Sequence, residues 1–284
     1  MEGRPEIQPQ PEPYYPPTYT PEPAERKPWW KSALGGLGAA ALLIVKLGAK
    51  LKAVVILLPK LKLFTTSASA LVSVGAYALI WGWRFAIGFV LLLLIHEMGH
   101  VLQARREGLD ASAPLFIPFL GAMIALKELP KDAAVEARVG LAGPVLGTLG
   151  TCIPLVLWQL TGEDLFQALA YFGFFLNLFN LAPVLPLDGG RAMAALTPWM
   201  WIVGYALLVA ATIAFPNPIM FLILLFGGME TYRRWKERND PGQKPFYAVP
   251  RRTRALVAAV YIGLALALVF GMDATFLDRN FNDV

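Results

Sequence analysis

From about residue 65 onward the chain alternates long apolar runs with short polar or charged clusters. The runs fall at about 66–83, 85–104, 138–160, 165–182, 199–215, 218–232 and 254–272. Most approach the roughly 17–25 residues that a bilayer-crossing helix requires, and Gly, Pro and charged clusters punctuate them. The pattern predicts an all-α membrane protein, a polytopic bundle of about six to seven transmembrane helices. Two earlier stretches depart from it. Residues 1–31 are too rich in proline for a helix or a central strand and are expected to form a disordered, extended tail. Residues 32–64 are apolar but carry Lys46, Lys50, Lys52, Lys60 and Lys62. Lysines are costly at mid-bilayer, so this segment reads as one or two helices lying at the membrane interface.

Composition agrees with the pattern. Hydrophobic residues make up 56% of the 284, and the mean hydropathy is +0.52, which is too apolar for an ordinary soluble domain of this size. The lipid bilayer is therefore the expected surroundings. A secretory signal is not expected, because the polar, proline-rich stretch precedes any apolar run. The single cysteine, Cys152, excludes an internal disulfide and reads as a small buried hydrophobe. Six tryptophans (Trp81, Trp83, Trp158, Trp199, Trp201 and Trp235) fall near ends of the runs, where an aromatic belt would place them.

The net charge of +5 is modest, and no interleaving of basic and aromatic residues suggests nucleic-acid binding. Its distribution sets an orientation. Arg105, Arg106, Lys127, Lys131 and Arg138 follow the second run, and a second basic group from Arg233 to Arg254 separates the sixth from the seventh. By the positive-inside rule these connections are cytoplasmic. The N-terminus is then inside and the C-terminus outside, with Arg84 the one exception. The cytoplasmic membrane is the expected location.

Chemistry concentrates in Leu91–His100, LLLLIHEMGH, which holds the only two histidines of the chain. On a helix, positions i and i+4 share a face, so His96 and His100 can offer two imidazoles to one metal ion. Glu97 would sit beside that ion. This is the HExxH signature of a zinc site with the Glu as general base. A catalytic zinc usually keeps three protein ligands and one open position. With no third histidine and a lone distant cysteine, a carboxylate must be the third. Asp188 is the outstanding candidate, because the proposed topology returns it to the cytoplasmic half at the depth of the two histidines. Glu128, Glu136 or Glu163 would serve in a membrane zinc peptidase of another architecture. A non-enzymatic membrane protein retaining a metal site is the reading from a different class.

HEMGH followed by NLAPVLPLDGG resembles the site-2 protease family of intramembrane zinc metalloproteases, whose pattern pairs HExxH with NxxPxPxLDG. His96 and His100 match that family's histidine ligands, Glu97 its catalytic glutamate and Asp188 its aspartate ligand. Asn180, Pro183, Leu187 and Gly189 match the remainder, whereas Leu185 stands where the pattern has its second proline. LAGPVLG at 141–147 is similar to the glycine-proline stretch of the family's intervening helix. The resemblance covers about residues 66–200 and implies one Zn2+ per chain, a three-helix catalytic core and cleavage of transmembrane segments in other proteins. The expected organisation is a tail at 1–31, an interfacial segment at 32–64, a metalloprotease core at 65–200, further helices at 201–272 and a short tail at 273–284. No PDZ or CBS domain is expected, since the connections at 107–138 and 233–254 are too short.

A helical substrate has its backbone already hydrogen-bonded, so an unwound peptide needs new partners in lipid. Ala113–Leu129, interrupted by Pro118 and Gly121, is expected to form a short membrane-embedded β-hairpin that adds a substrate strand, or else a re-entrant loop that packs the site. Asn180 is a candidate to hydrogen-bond the substrate backbone or the developing oxyanion, with capping of its own helix end as the alternative. Gly140, Gly143, Gly147 and Gly150 recur along one face of the third run and predict close helix packing.

Overall fold

The computed structural model describes residues 62–276, with side chains from Thr65 onward. The expected tail at 1–31, nearly all of the interfacial segment at 32–64, and residues 277–284 lie outside the described residues. Each of the seven apolar runs corresponds to a helix. These are α1 (Lys62–Trp81), α2 (Trp83–Arg106), α3 (Ala133–Thr161), α4 (Asp164–Asn180), α6 (Trp199–Ala214), α7 (Pro218–Glu237) and α8 (Arg251–Ala274). Between α4 and α6 stands α5 (Asp188–Leu196), a nine-residue helix that the apolar pattern did not predict. Among the described residues three helices, α2, α3 and α8, are long and apolar enough to cross a membrane, and α1 from Thr65 and α6 are shorter apolar helices.

Local chemistry sets the breaks. Gly82 separates α1 from α2 with φ 81°, a left-handed conformation that glycine adopts at little cost. Helix α3 starts at Asp132, whose side chain accepts the Val135 N–H at 2.7 Å. It ends at Gly162, φ 71°, whose N–H reaches the Trp158 carbonyl. Pro144 and Pro154 lie inside α3 without ending it. Each removes a backbone donor, and the Thr148 hydroxyl donates to the Pro144 carbonyl at 2.6 Å.

Helix α3 is the central element. It packs against α2, α4 and α5, and also touches α8. Its glycine face is where neighbours come closest. A β-carbon on Gly143 would overlap the imidazole of His100, one on Gly147 the amide of Asn177, and one on Gly150 the side chain of Ile95. The small-residue face is thus packed against the histidine-bearing helix α2 and against α4.

Between α2 and α3 the chain forms a narrow antiparallel sheet. Strand β1 (Leu115–Ile117) pairs with β2 (Gly121–Met123), with Phe116 opposite Ala122, and an isolated bridge joins Ala111 to Leu126. Helix α1 holds its outer edge: the Phe116 N–H donates to the Ser69 hydroxyl at 3.2 Å, the Phe119 N–H to the Tyr77 hydroxyl at 3.2 Å, and the Thr66 hydroxyl to the Pro114 carbonyl at 2.7 Å.

Ion pairs tie helix ends together. Arg84, the exception to the charge pattern, meets Glu163 at 3.0 Å, so the turn after α1 and the turn after α3 lie at one end. At the start of α3, Arg138 makes two hydrogen bonds to Glu107, at 2.6 and 2.9 Å. That guanidinium holds the Glu107 carboxyl below the ordinary glutamate range. Two residues earlier, on another side of the helix, Glu136 is buried and receives Arg234 of α7 in a two-pronged contact of 2.7 and 2.8 Å.

Two expectations need correction. Trp201 is not at a rim: it is fully buried and donates its indole N–H to the Gly190 carbonyl at 2.7 Å, which steadies the first turn of α5. Cys152 is exposed on the outer face of α3 rather than buried, because the glycines occupy the inward positions and leave Cys152 facing out.

Candidate metal centre

His96 and His100 stand one helical turn apart in α2 and are both buried. Asp188, also buried, is the first residue of α5, the helix that follows the Pro183–Leu187 loop. Although Asp188 stands 88 positions beyond His100, the fold brings all three together among the described residues. The Asp188 Oδ2 atom is 3.1 Å from His96 Nε2 and 3.2 Å from His100 Nε2, and the two Nε2 atoms are 3.2 Å apart.

The hydrogen bonds behind the rings fix which nitrogens face inward. His100 Nδ1 is 2.8 Å from the Val139 carbonyl, which can only accept, so that nitrogen carries a proton. His96 Nδ1 is 2.8 Å from Asn177 Oδ1. The Asn177 amide nitrogen donates to the Gly173 carbonyl at 2.8 Å, which turns its oxygen toward His96, so this Nδ1 is a donor as well. In the neutral rings both Nε2 atoms therefore present lone pairs toward the Asp188 carboxylate. With both rings neutral, three buried acceptors stand within 3.2 Å of one another, an arrangement that a shared cation satisfies.

The donor set fits zinc. Two imidazole nitrogens and one carboxylate oxygen are common zinc ligands, and bonds of about 2.0–2.1 Å in a tetrahedral site put ligand atoms about 3.3–3.4 Å apart. The observed edges of 3.1, 3.2 and 3.2 Å are close to that spacing. Each imidazole is oriented from behind, by Asn177 and by the Val139 carbonyl, as metal-ligating histidines commonly are. Glu97 follows His96 on the same helix and is buried, 5% exposed.

The glutamates considered as alternative ligands lie elsewhere. Glu136 is engaged by Arg234, Glu163 by Arg84, and Glu128 is exposed in the connection before α3. Asn180 donates its amide to the Leu176 carbonyl of its own helix at 3.0 Å, the helix-end alternative. The amide that reaches the centre is Asn177, which motif matching passed over. A signal was present: Ala170, Gly173, Phe174 and Asn177 are all buried and share one face of α4, so a polar side chain on that stripe must have an inward partner. The Val139 carbonyl, as backbone, carries no such signal. Leu185, the departure from the motif, is buried and packs in the core, so the loop keeps an apolar anchor at that position.

Comparison with known proteins extends the likeness beyond the motifs. Residues 84–162 match the model of Peptidase family M50, a stretch that contains His96, Glu97 and His100 and ends before Asp188. Over 155 residues the chain is 29% identical to zinc metalloprotease MJ0392 of Methanocaldococcus jannaschii, a stretch covering 53% of this chain and 44% of that protein. Over 153 residues it is 30% identical to Rip3 of Mycobacterium tuberculosis, covering 49% and 38%. Over 130 residues it is 31% identical to sll0528 of Synechocystis, covering 40% and 33%. Both of the latter also carry zinc metalloprotease in their names. The matched stretch spans less than half the length of each relative. These likenesses show the resemblance to the site-2 protease family, and the zinc they imply agrees with the donor set.

Proposed function

We propose that this protein is an intramembrane zinc endopeptidase that hydrolyses peptide bonds in or near transmembrane segments of other membrane proteins, as in regulated intramembrane proteolysis. One observation carries the reading: two imidazole nitrogens and a distant carboxylate meet inside a bundle of apolar helices, with a buried glutamate adjacent in the chain. His96, His100 and Asp188 would hold the zinc. What zinc supplies when held there is Lewis acidity, toward a water molecule and toward a carbonyl oxygen.

The chain's own groups do the rest. Asn177 and the Val139 carbonyl hold the two rings with Nε2 inward. Glu97 takes a proton from the attacking water and delivers it to the leaving amine nitrogen. A protein nucleophile has no part in the reaction. The α1-anchored sheet supports a role in substrate binding: β1 is engaged by Ser69, and β2 is the strand to which an unwound peptide adds. Asn180 stays the candidate to hydrogen-bond the substrate backbone, with one amide N–H held by the Leu176 carbonyl of its own helix.

The membrane arrangement belongs to the same proposal. The helices matching the seven apolar runs give about six to seven spans, with the shorter ones tilted little or thinning the bilayer around them. The basic connections face the cytoplasm, the metal centre lies toward that side, and the location is the cytoplasmic membrane. The Arg84–Glu163 pair supports this orientation by neutralising the one basic residue on the opposite side.

The test compares membrane-protein fragments in cells carrying wild type or Glu97→Gln. Full-length proteins that accumulate uncut with Glu97→Gln, at unchanged expression of the variant, are the expected result. Identical fragment patterns in the two would refute the peptidase reading.

A further inference from the structure

Away from the metal centre, a groove of about 410 Å³ runs along the outer side of the α2–α3 contact and is flanked by α8. Its walls are apolar. Leu102 of α2, Val145 and Leu149 of α3, and Leu256 and Val260 of α8 line it, and each is substantially exposed. Along α3 the lining runs from Arg138 to Leu149, a rise of roughly 16 Å along the helix. That is about the depth of one leaflet of a hydrocarbon core roughly 30 Å thick.

The three walls share a second feature. Arg106 lies one turn beyond Leu102 on the same face of α2, and Arg138 stands two turns before Val145 on α3. Arg252 precedes Leu256 by four residues, so Arg252, Leu256 and Val260 form one stripe of α8. Arg106 and Arg138 thus line one end of a channel that is apolar apart from them and Gln103, and the α8 stripe puts Arg252 at that same end. Glu107 is the acidic group at this mouth and is committed to Arg138 and to the Gln103 amide. Arg106 and Arg252 are exposed and make no ion pair among the described residues. The mouth therefore keeps a positive excess.

We infer that this groove is a binding site for an anionic phospholipid, one acyl chain lying along Leu102, Val145 and Leu256 and the phosphate held among Arg106, Arg138 and Arg252. A basic pocket between membrane helices on the cytoplasmic side suits an anionic headgroup, and the guanidinium fork suits phosphate oxygens. The inference goes beyond the peptidase reading and does not depend on it, since neither Glu97 nor Asp188 faces the groove lining.

The test is native mass spectrometry of the full chain purified from vesicles of phosphatidylcholine and phosphatidylglycerol in equal amounts. Wild type is expected to retain phosphatidylglycerol in preference to phosphatidylcholine. Arg106→Gln and Arg252→Gln should each lower that preference about fivefold, in line with the worth of one basic residue near an anionic surface. Arg105→Gln, on the same helix turn but outside the groove, should leave it unchanged. Val145→Trp, which fills the channel, should reduce retention of both lipids while bound zinc stays at the wild-type level. An Arg105→Gln effect as large as that of Arg106→Gln would mean attraction to general surface charge and would overturn the inference. So would lipid retention in Val145→Trp equal to wild type.

Discussion

Replacing Asn177 by alanine probes the least obvious part of the metal centre. The Asn177 side chain is 1% exposed and accepts from His96 Nδ1 at 2.8 Å. Alanine leaves that N–H buried without its acceptor, and an unmade buried hydrogen bond costs about 1–3 kcal/mol. At about 1.4 kcal/mol per decade, the loss corresponds to roughly 5- to 140-fold in zinc affinity if it falls on the metal-bound state. The usual effect of removing a group that orients a histidine ligand, about 10- to 100-fold, lies in the same range. The assay is competition between the detergent-solubilised protein and a zinc chelator, with helicity monitored in parallel. Asn180→Ala is the control, because the Asn180 amide donates only to the Leu176 carbonyl, and it should change affinity less than about twofold. An Asn177→Ala protein of native helicity that competes for zinc as well as wild type does would refute the reasoning. So would equal losses in the two variants.

Gly143→Ala would set a methyl against the His100 imidazole. It should lower zinc affinity by about tenfold or more, whereas Gly263→Ala, in α8 with open space around it, should leave chelator competition unchanged. Glu136→Ala would strand Arg234, whose guanidinium makes 2.7 and 2.8 Å contacts to it, although Glu230 at 2.9 Å keeps part of the pairing. Losing one partner of a buried ion pair costs about 3–5 kcal/mol, so a destabilisation of about 2–3 kcal/mol in denaturant unfolding is expected, and none would contradict the pairing.

Much of this architecture was legible because it rests on local patterns. Helix α2 and its two histidines follow from an apolar run and a four-residue spacing, and each apolar run became a helix because backbone groups in such a chain must pair within the segment. The sequence was silent where the outcome depended on which face of a helix met which neighbour. Asn177 and Asn180 are three residues apart on the same helix, yet the motif favours Asn180 while packing turns Asn177 inward. Trp201 falls near the end of an apolar run as a belt residue would, but the Gly190 carbonyl of an adjacent helix supplies an indole partner in the interior. Helix α5 escaped notice because nine residues with two glycines after Asp188 carry little intrinsic helix preference. Packing against α3 and α8 supports it instead.

The meeting of His96, His100 and Asp188 on one ion is tested most directly by counting zinc in purified protein. Wild type and Glu97→Gln should each hold one zinc per chain, and Asp188→Ala should hold markedly less under the same dialysis. Full zinc content in Asp188→Ala, with native helicity, would contradict the account.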